Sequence, residues 1–213
     1  KSKIFSYLDE DGIAFLNMND EMIKKMDIKS KKITFAMNNK QAEYNGTVNQ
    51  KSLMTINNST FKIPIDIIHL NESILSVYAI CSQLGIEDEI IQEALNTFAI
   101  PNGRGSIIDN NKYIIINDTY NASPASMKFG IKRLSGMEKT NRKILIIGDM
   151  LELGDHAIIE HENLAKVINL TNIDIVFTIG SLMIHAYKKL NDNYNLKLHF
   201  SDINNLKNKF KKI

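Results

Sequence analysis

The chain has 213 residues, of which 44% are hydrophobic and 23% charged, the composition of an ordinary globular protein. Its net charge of +2 is too small to indicate a nucleic acid or a membrane surface as a partner, and no apolar run approaches the roughly 20 residues of a membrane span. The single cysteine, Cys81, excludes an internal disulfide. With no signal peptide in the sequence, we expect a cytoplasmic protein.

The two ends of the sequence have the character of interrupted elements. The opening stretch KSKIFSYL lacks a helix cap, and the closing stretch KNKFKKI stops within a helical pattern. We therefore expect these residues to be a piece of a longer chain.

Residues 1–68 alternate short strand candidates with polar turns. The strand candidates read GIAFLN, KITFAM, EYNGTVN, LMTI and TFKIPI. Their spacing, with Asn45-Gly46 taken as a turn, predicts a small mixed or antiparallel sheet. Helices are predicted over 71–84 and 88–96, and PNGRGS at 101–106 then interrupts the pattern. We place a domain boundary there, between residues 1–105 and 106–213.

The second half of the chain alternates strands with helices. Its strand candidates read YIIIN, KILIIG, IVFTIG and LKLHF, each followed by a helical segment. This alternation predicts βαβ units with right-handed crossovers and a parallel sheet. The fold class is therefore α/β, with a Rossmann-like second domain.

The stretch INDTYNASPASM, residues 116–127, has the pattern of a ligand-binding turn. The run 113–116 is apolar and β-branched, which is typical of a strand buried on both faces. Ser123 and Pro124 predict a helix start, because serine caps free N–H groups and proline fits the first turn. Residues 118–122 are therefore predicted to lie at the carboxyl end of a strand, where open α/β sheets bind ligands.

The sequence lacks the usual glycine-rich phosphate motifs. No G-x-G-x-x-G follows a strand, and the nearest match to a P-loop, GTVNQKS at 46–52, lacks the second glycine. Arg104 lies between two glycines, where its guanidinium could bind a phosphate with two N–H groups. A solvent-exposed linker arginine is the alternative interpretation.

A second acidic loop, IIGDMLELGDH at 146–156, follows another strand candidate. Its acids Asp149, Glu152 and Asp155 could hold an ammonium group or Mg²⁺, or could complement the N-terminus of a helix that begins near Ala157. His161 has the pattern of a packed or hydrogen-bonded histidine, because its separation from His156 is not that of a helical metal pair.

Together these segments resemble the Mur ligase family. INDTYNASPASM is similar to the signature D-D-[ST]-Y-N-A-N-P-x-S-M of the branch that joins D-alanyl-D-alanine to a UDP-N-acetylmuramoyl-tripeptide. IGDMLELG followed by His161 resembles that branch's L-G-D-M-L-E-L-G…H segment, and NGRG resembles the turn between the central and C-terminal domains. The resemblance makes 1–105 the end of a P-loop-type central ATPase domain, and 106–213 a truncated Rossmann-like C-terminal domain.

The resemblance implies an activity and its ligands. Mur ligases use ATP and Mg²⁺ to phosphorylate a carboxylate, and the incoming amine attacks the acyl phosphate. The implied substrates are UDP-N-acetylmuramoyl-tripeptide and D-alanyl-D-alanine, and the implied protein is a monomer. The alternatives are a sister Mur-type or folylpolyglutamate-type amino-acid ligase, and a non-catalytic nucleotide-binding module. The 213 residues alone are expected to be inactive, because the family's P-loop would precede them.

The resemblance also assigns roles to single residues. Arg104 would contact the ATP phosphates, and Asp118 would accept hydrogen bonds from the ribose hydroxyls. Tyr120 and Asn121 would shape the same turn, with Asn121 facing the nucleotide or the substrate. Lys1 falls on the lysine that is carbamylated in the family and helps to bind Mg²⁺, so it is assigned as a catalytic and metal-binding residue.

Further positions match or depart from the family pattern. Asp149, Glu152 and His161 match positions on the substrate side of the C-terminal domain. HLNESI at 69–74 replaces the usual H-N-V-x-N near the adenine, which displaces Asn71, our assigned nucleotide contact, by one position. Asn117 replaces the first acid of the signature and leaves Asp118 as its one carboxylate.

Overall fold

The computed structural model describes residues 2–65, 67–138 and 142–210. The chain divides into two compact units, Lys1–Ile100 and Pro101–Ile213, each with its own hydrophobic clusters. Both units combine helices with sheets, which confirms the predicted α/β class. In the described ranges no helix is long and apolar enough to cross a membrane.

The first unit contains a five-stranded mixed sheet, as predicted. Strands β1, β2 and β3 are parallel, and β3, β4 and β5 are antiparallel, in the order β1-β2-β3-β4-β5. The predicted helices are present as α2 and α3. The elements are a 3-10 helix at Ser2–Tyr7, β1 (Ile13–Asn17), α1 (Glu21–Lys24), β2 (Lys31–Met37), β3 (Tyr44–Val48), β4 (Leu53–Ile56), β5 (Ser59–Lys62), a 3-10 turn at Ile68–Leu70, α2 (Asn71–Gln83) and α3 (Asp88–Thr97).

The Asn45-Gly46 pair was wrongly predicted to be a turn, because both residues lie inside β3. A Cβ on Gly46 would lie 2.8 Å from Met37 Sδ and 3.1 Å from Leu75 Cδ2. The glycine is therefore required because β2 and α2 approach the strand closely, which is one of the roles of glycine within sheets. Asn45 supports the same region, since its Oδ1 accepts a 2.8 Å hydrogen bond from the backbone N–H of Asn39.

The second unit contains a three-stranded parallel sheet in the order β10-β9-β8 and a separate two-stranded hairpin. The sheet is flanked by helices, as expected for a Rossmann-like domain. The elements are β6 (Ser106–Asp109), β7 (Ile114–Asn117), α4 (Pro124–Gly136), β8 (Ile144–Gly148), a 3-10 turn at Gly154–His156, α5 (Ala157–Asn169), β9 (Ile175–Ile179), α6 (Met183–Lys189), β10 (Leu196–Phe200) and α7 (Ile203–Phe210).

The two faces of the parallel sheet are covered differently. Leu145, Ile147 and Val176 point to one face and join the buried cluster made with α4, α5 and α6. On the other face Phe177 packs with Phe200 and with Leu206 of α7. The period-two alternation of buried and exposed residues in β8 follows from this arrangement.

The run YIII was wrongly predicted to be a strand buried in the parallel sheet. In the described structure β7 pairs antiparallel with β6, and Ile114 and Ile115 are 48% and 43% exposed. The turn between the strands decides this pairing. Asn110 Oδ1 accepts hydrogen bonds from the N–H groups of Lys112 and Tyr113, an Asx turn that folds β7 back on β6.

The predicted start of α4 is confirmed. Ser123 is the N-cap and Pro124 the first helical residue. Ser123 Oγ accepts from the N–H of Ser126 at 3.2 Å, and Ser126 Oγ accepts from the N–H of Ser123 at 3.0 Å. This reciprocal capping box satisfies two N–H groups and fixes where the preceding turn ends.

A buried lysine closes the other end of α4. Lys143 is 5% exposed, and its ammonium donates to the carbonyls of Ser135 at 2.6 Å and Met137 at 2.7 Å and to Asn172 Oδ1 at 3.2 Å. The positive charge lies at the carboxyl end of the helix, where the helix dipole favours a cation.

We expect Lys143→Met to destabilise the second unit by about 3 kcal/mol, because three partly buried hydrogen bonds would lose their charged donor. Chemical denaturation followed through the second unit measures this loss. Lys112→Met, in the exposed hairpin turn, removes the same charge and should change stability by less than about 0.5 kcal/mol. Equal stabilities of the two variants would contradict the structural role of Lys143.

Candidate functional site

The turn of residues 118–122 connects β7 to α4, as predicted. Asp118, Tyr120 and Asn121 are exposed on it. A second turn, the 103–105 turn, lies against it within the same unit. The N–H of Tyr120 donates to the carbonyl of Gly103 at 2.9 Å, and the N–H of Gly105 donates to the carbonyl of Asn117 at 2.8 Å. The candidate site is the pair formed by these two turns.

The two glycines make the close approach possible. Gly103 and Gly105 both have φ of +80°, a conformation that residues with a side chain rarely adopt. A Cβ on Gly103 would lie 3.4 Å from the backbone nitrogen of Tyr120, at the edge of ordinary van der Waals contact, so the positive φ is the main reason for glycine at this position. Both glycines are buried whereas Arg104 between them is exposed, so the turn presents one cationic side chain.

Arg104 stacks on Tyr120. Its Cζ atom lies 3.8 Å from the centroid of the tyrosine ring, within cation–π distance. A guanidinium that uses its face for an aromatic ring keeps its edge N–H groups for an anion. The tyrosine ring is 67% exposed, so the pair lies at the surface of the unit.

The neighbouring polar residues stiffen the site. Asn117 Nδ2 donates to Asn102 Oδ1 at 2.8 Å, and Asn117 Oδ1 accepts from the hydroxyl of Thr119 at 2.8 Å. The asparagine that replaces the first acid of the signature therefore links the two turns. Asp118 Oδ2 would lie 3.6 Å from a Cβ at Gly130, which places this carboxylate beside α4.

Arg133 is a residue of the site that sequence reasoning missed. From α4, its Nη1 donates to the carbonyl of Gly105 at 2.7 Å, in a partly buried contact. Its position in the helix carries no motif, because a basic residue near a helix end usually serves the helix dipole. The contact with the 103–105 turn appears only when the fold brings residues 28 positions apart together.

Asp149 closes the N-terminus of α6. One carboxylate oxygen accepts from the N–H of Met183 at 2.7 Å, and the N–H of Leu182 lies 3.1 and 3.2 Å from the two oxygens. The capping interpretation therefore holds for Asp149, but the predicted helix was wrong, since the residue caps α6 and not the helix that begins at Ala157. Burial lowers the pKa of His199, and the negative charge of Asp149 opposes that shift.

His161 is fully buried and bonded through both ring nitrogens. Nε2 accepts from the N–H of Met150 at 3.0 Å, and Nδ1 lies 2.6 Å from the carbonyl of Ala157, to which it must donate. This agrees with the packing interpretation: the ring fixes the loop after β8. Glu152, in that loop, is exposed and has φ of +61°, an uncommon conformation for a residue with a side chain.

The remaining predicted site residues are Asn71, Asn121 and Lys1, of which Asn121 belongs to the 118–122 turn. Asn71 lies in the first unit at the start of α2, where its Oδ1 accepts from the N–H of Glu72 at 2.7 Å. Asn121 Oδ1 accepts from the N–H of Ala122 at 2.8 Å. Lys1 lies outside the described residues. Within the described ranges, no group of three or more His, Cys, Asp or Glu side chains could hold a metal ion.

Comparison with known proteins identifies the family. The model of the domain described as Mur ligase, glutamate ligase domain matches residues 103–206. A UDP-N-acetylmuramoyl-tripeptide–D-alanyl-D-alanine ligase of Buchnera aphidicola subsp. Baizongia pistaciae is 35% identical over 98% of this chain. The chain belongs to the Mur ligase family. It spans 47% of that relative, and 27% of a Bacillus subtilis ligase of the same name that is 38% identical over 58% of the chain.

Solved Mur ligase structures share the fold of this chain. MurF from Acinetobacter baumannii matches all of the chain with a TM-score of 0.78 at 20% identity, and 48% of that structure is covered. MurF from Thermotoga maritima, solved in complex with ADP, matches 89% of the chain with a TM-score of 0.68 at 19% identity, over 45% of its own length. The chain therefore spans about half of each of these solved Mur ligases.

Proposed function

We propose that this Mur ligase chain is part of a cytoplasmic, monomeric enzyme that joins D-alanyl-D-alanine to a UDP-N-acetylmuramoyl-tripeptide, with ATP converted to ADP and phosphate. The names of the curated relatives support the reaction. In the chain itself, the supporting observation is the contact of the 103–105 turn with the 118–122 turn, in which Arg104 stacks on Tyr120 of the turn that also carries the exposed Asp118 carboxylate. Residues 1–105 would then be the end of the central ATPase domain, and 106–213 most of the C-terminal domain.

The reaction needs activation because a carboxylate is a poor electrophile. Transfer of the γ-phosphoryl group to a carboxylate oxygen gives an acyl phosphate and releases ADP. The amine of the dipeptide then attacks the carbonyl carbon and loses a proton, and the tetrahedral intermediate expels phosphate to leave the amide. Negative charge is carried by phosphate oxygens at each stage, so positioned cations lower the barriers.

The two turns supply groups suited to a nucleotide. The Arg104 guanidinium would bind phosphate oxygens through its edge while Tyr120 holds its face. The Asp118 carboxylate, an acceptor only, would bind the ribose hydroxyls. Mg²⁺ would shield the phosphates when bound, and no described residue is assigned to it here, since no three His, Cys, Asp or Glu side chains of the described ranges are grouped to hold a metal ion.

The residues proposed for the substrate side differ in whether their side chains are bonded to the backbone, so we propose different roles for them. Asp149 and His161 are engaged by backbone groups, so their proposed contribution is to fix the loop of residues 149–156. Glu152 is exposed on that loop and is the one we propose for direct contact with the substrate.

Phosphate release from ATP by the full-length gene product tests this function. With UDP-N-acetylmuramoyl-tripeptide present, we expect release only when D-alanyl-D-alanine is added, and none from the isolated 213 residues. Release with a single amino acid would instead indicate a sister ligase. Nucleotide binding without release, for any acceptor, would indicate a non-catalytic module, and turnover by the isolated chain would contradict the predicted need for the missing domains.

A further inference from the structure

Arg133 connects α4 to the turn that carries Arg104. Its guanidinium donates to the carbonyl of Gly105 at 2.7 Å, while the N–H of the same glycine donates to the carbonyl of Asn117. Gly105 is therefore bonded on both of its polar groups, one to the end of β7 and the other to α4. A glycine at φ +80° has great backbone freedom, so contacts from outside the turn must fix it.

We propose that Arg133 is a positioning residue that sets where Arg104 presents its guanidinium to the phosphates of a nucleotide. The proposal rests on the proposed function of the site. A hydrogen bond from a charged donor in a partly buried place is stronger and more directional than a neutral one. Without it, the carbonyl of Gly105 would lose this donor, and the turn would keep its backbone bonds to Pro101, Asn117 and Tyr120.

The same helix also lies beside the second proposed nucleotide contact, Asp118. Gly130, three residues before Arg133, is the position on α4 that approaches the Asp118 carboxylate. Residues three apart lie on one helical face, so the face of α4 that bonds the 103–105 turn through Arg133 also lies beside the Asp118 carboxylate. The capping box at Ser123 fixes the start of this helix relative to the 118–122 turn. The separation of Arg104 from Asp118, and hence of a phosphate group from a ribose, is therefore set by α4.

Arginine suits the proposed positioning role at residue 133 better than lysine would. An arginine spreads five N–H donors over a rigid plane, whereas lysine ends in a single flexible ammonium. We therefore expect Arg133→Lys to restore only part of what Arg133→Met removes. Lys132, the exposed neighbour on α4, provides a matched control because Lys132→Met removes the same charge from the same helix.

Steady-state kinetics of the full-length gene product test the proposal. Arg133→Met should lower kcat/KM for ATP by about tenfold and leave KM for D-alanyl-D-alanine unchanged within about twofold. Lys132→Met should match the unmodified protein in both. Loss of folding alone would instead lower the concentration of active enzyme and leave both KM values unchanged, and a far-UV circular dichroism melt of each variant measures it directly.

A double-mutant cycle with Arg104→Ala gives the deciding comparison. If Arg133 acts through Arg104, Arg133→Met should cost about tenfold in the unmodified protein but less than about twofold in the Arg104→Ala background. The same factor in both backgrounds would overturn the proposal and leave the proposed function standing. If Arg104→Ala has no effect on ATP use, or the full-length protein binds no ATP, the proposed role of the site fails, and this inference fails with it.

Discussion

Replacing Gly180 by alanine should destabilise the second unit by about 4 kcal/mol. Gly180 follows β9 with φ of +112°, a value outside even the left-handed region that other residues occasionally use. A Cβ at this position would overlap the carboxylate of Asp149. The alanine therefore adds backbone strain and also displaces a partly buried carboxylate.

The displaced carboxylate accounts for most of the expected loss. Asp149 accepts the N–H groups of Leu182 and Met183 at the start of α6. Losing this cap leaves the partly buried N–H donors unsatisfied, which costs about 1–3 kcal/mol. Positive φ with a Cβ adds about 1–2 kcal/mol.

Two other glycines separate these contributions. Gly154 has φ of +53° with open space around its Cβ position, so Gly154→Ala reports strain alone, about 1 kcal/mol. Gly136, at the end of α4, has neither strain nor a neighbour, so its alanine variant should be neutral or stabilising. Hydrogen exchange of the β9 amides measures the stability of the second unit in each variant. If Gly180→Ala behaved like Gly154→Ala, the steric argument would be wrong.

The sequence predicted the elements whose signals are local. The helix start at Ser123 and Pro124 was found because a capping residue and a proline each have one physical role at a helix N-terminus. The turn before α4 was predicted from the same signals, and the strands of the five-stranded and three-stranded sheets were predicted from their apolar patterns. The Mur ligase resemblance rested on the same stretch, because a site at a strand end draws its residues from one short segment.

The errors came from choices that depend on distant residues. The apolar run of β7 fits a buried strand or a paired edge strand equally well. The turn at Asn110 determines that β7 pairs with β6. Gly46 has the composition of a turn, but its small size serves the packing of Met37 and Leu75. Periodicity cannot distinguish these cases, since the deciding atoms are far away in the sequence.

The candidate site shows the same difference between features with a local sequence signal and features that depend on distant residues. Arg104 was singled out because glycines flank it, whereas Arg133 gave no such signal because its partner is a backbone carbonyl in another element. Asp149 was placed correctly at a strand end, yet the helix that it caps begins more than thirty positions later. Residues that touch a ligand leave motifs in a sequence more readily than residues that hold those side chains in place.

Arg104→Ala should lower kcat/KM for ATP of the full-length protein by about 100-fold, which corresponds to about 2.7 kcal/mol of transition-state stabilisation. The arginine is the cation that the 103–105 turn presents, it stacks on Tyr120 of the turn that carries Asp118, and both glycines next to it are buried. Because it lies at the surface, its removal should leave the thermal stability of the second unit unchanged within about 0.5 kcal/mol. Steady-state kinetics with varied ATP measure the effect.

Three further variants test whether the use of ATP depends on the stacking of Arg104 and on the planar shape of its guanidinium. Arg104→Lys keeps the charge but lacks the planar fork, so it should recover no more than about tenfold of the loss. Tyr120→Phe keeps the ring under the guanidinium and should retain activity within about threefold, since the hydroxyl is not needed for a cation–π contact. Arg142→Ala removes another exposed arginine of the same unit and should change nothing. If Arg142→Ala and Arg104→Ala had equal effects, long-range charge would explain the loss, and the specific contact between Arg104 and the phosphates would be refuted.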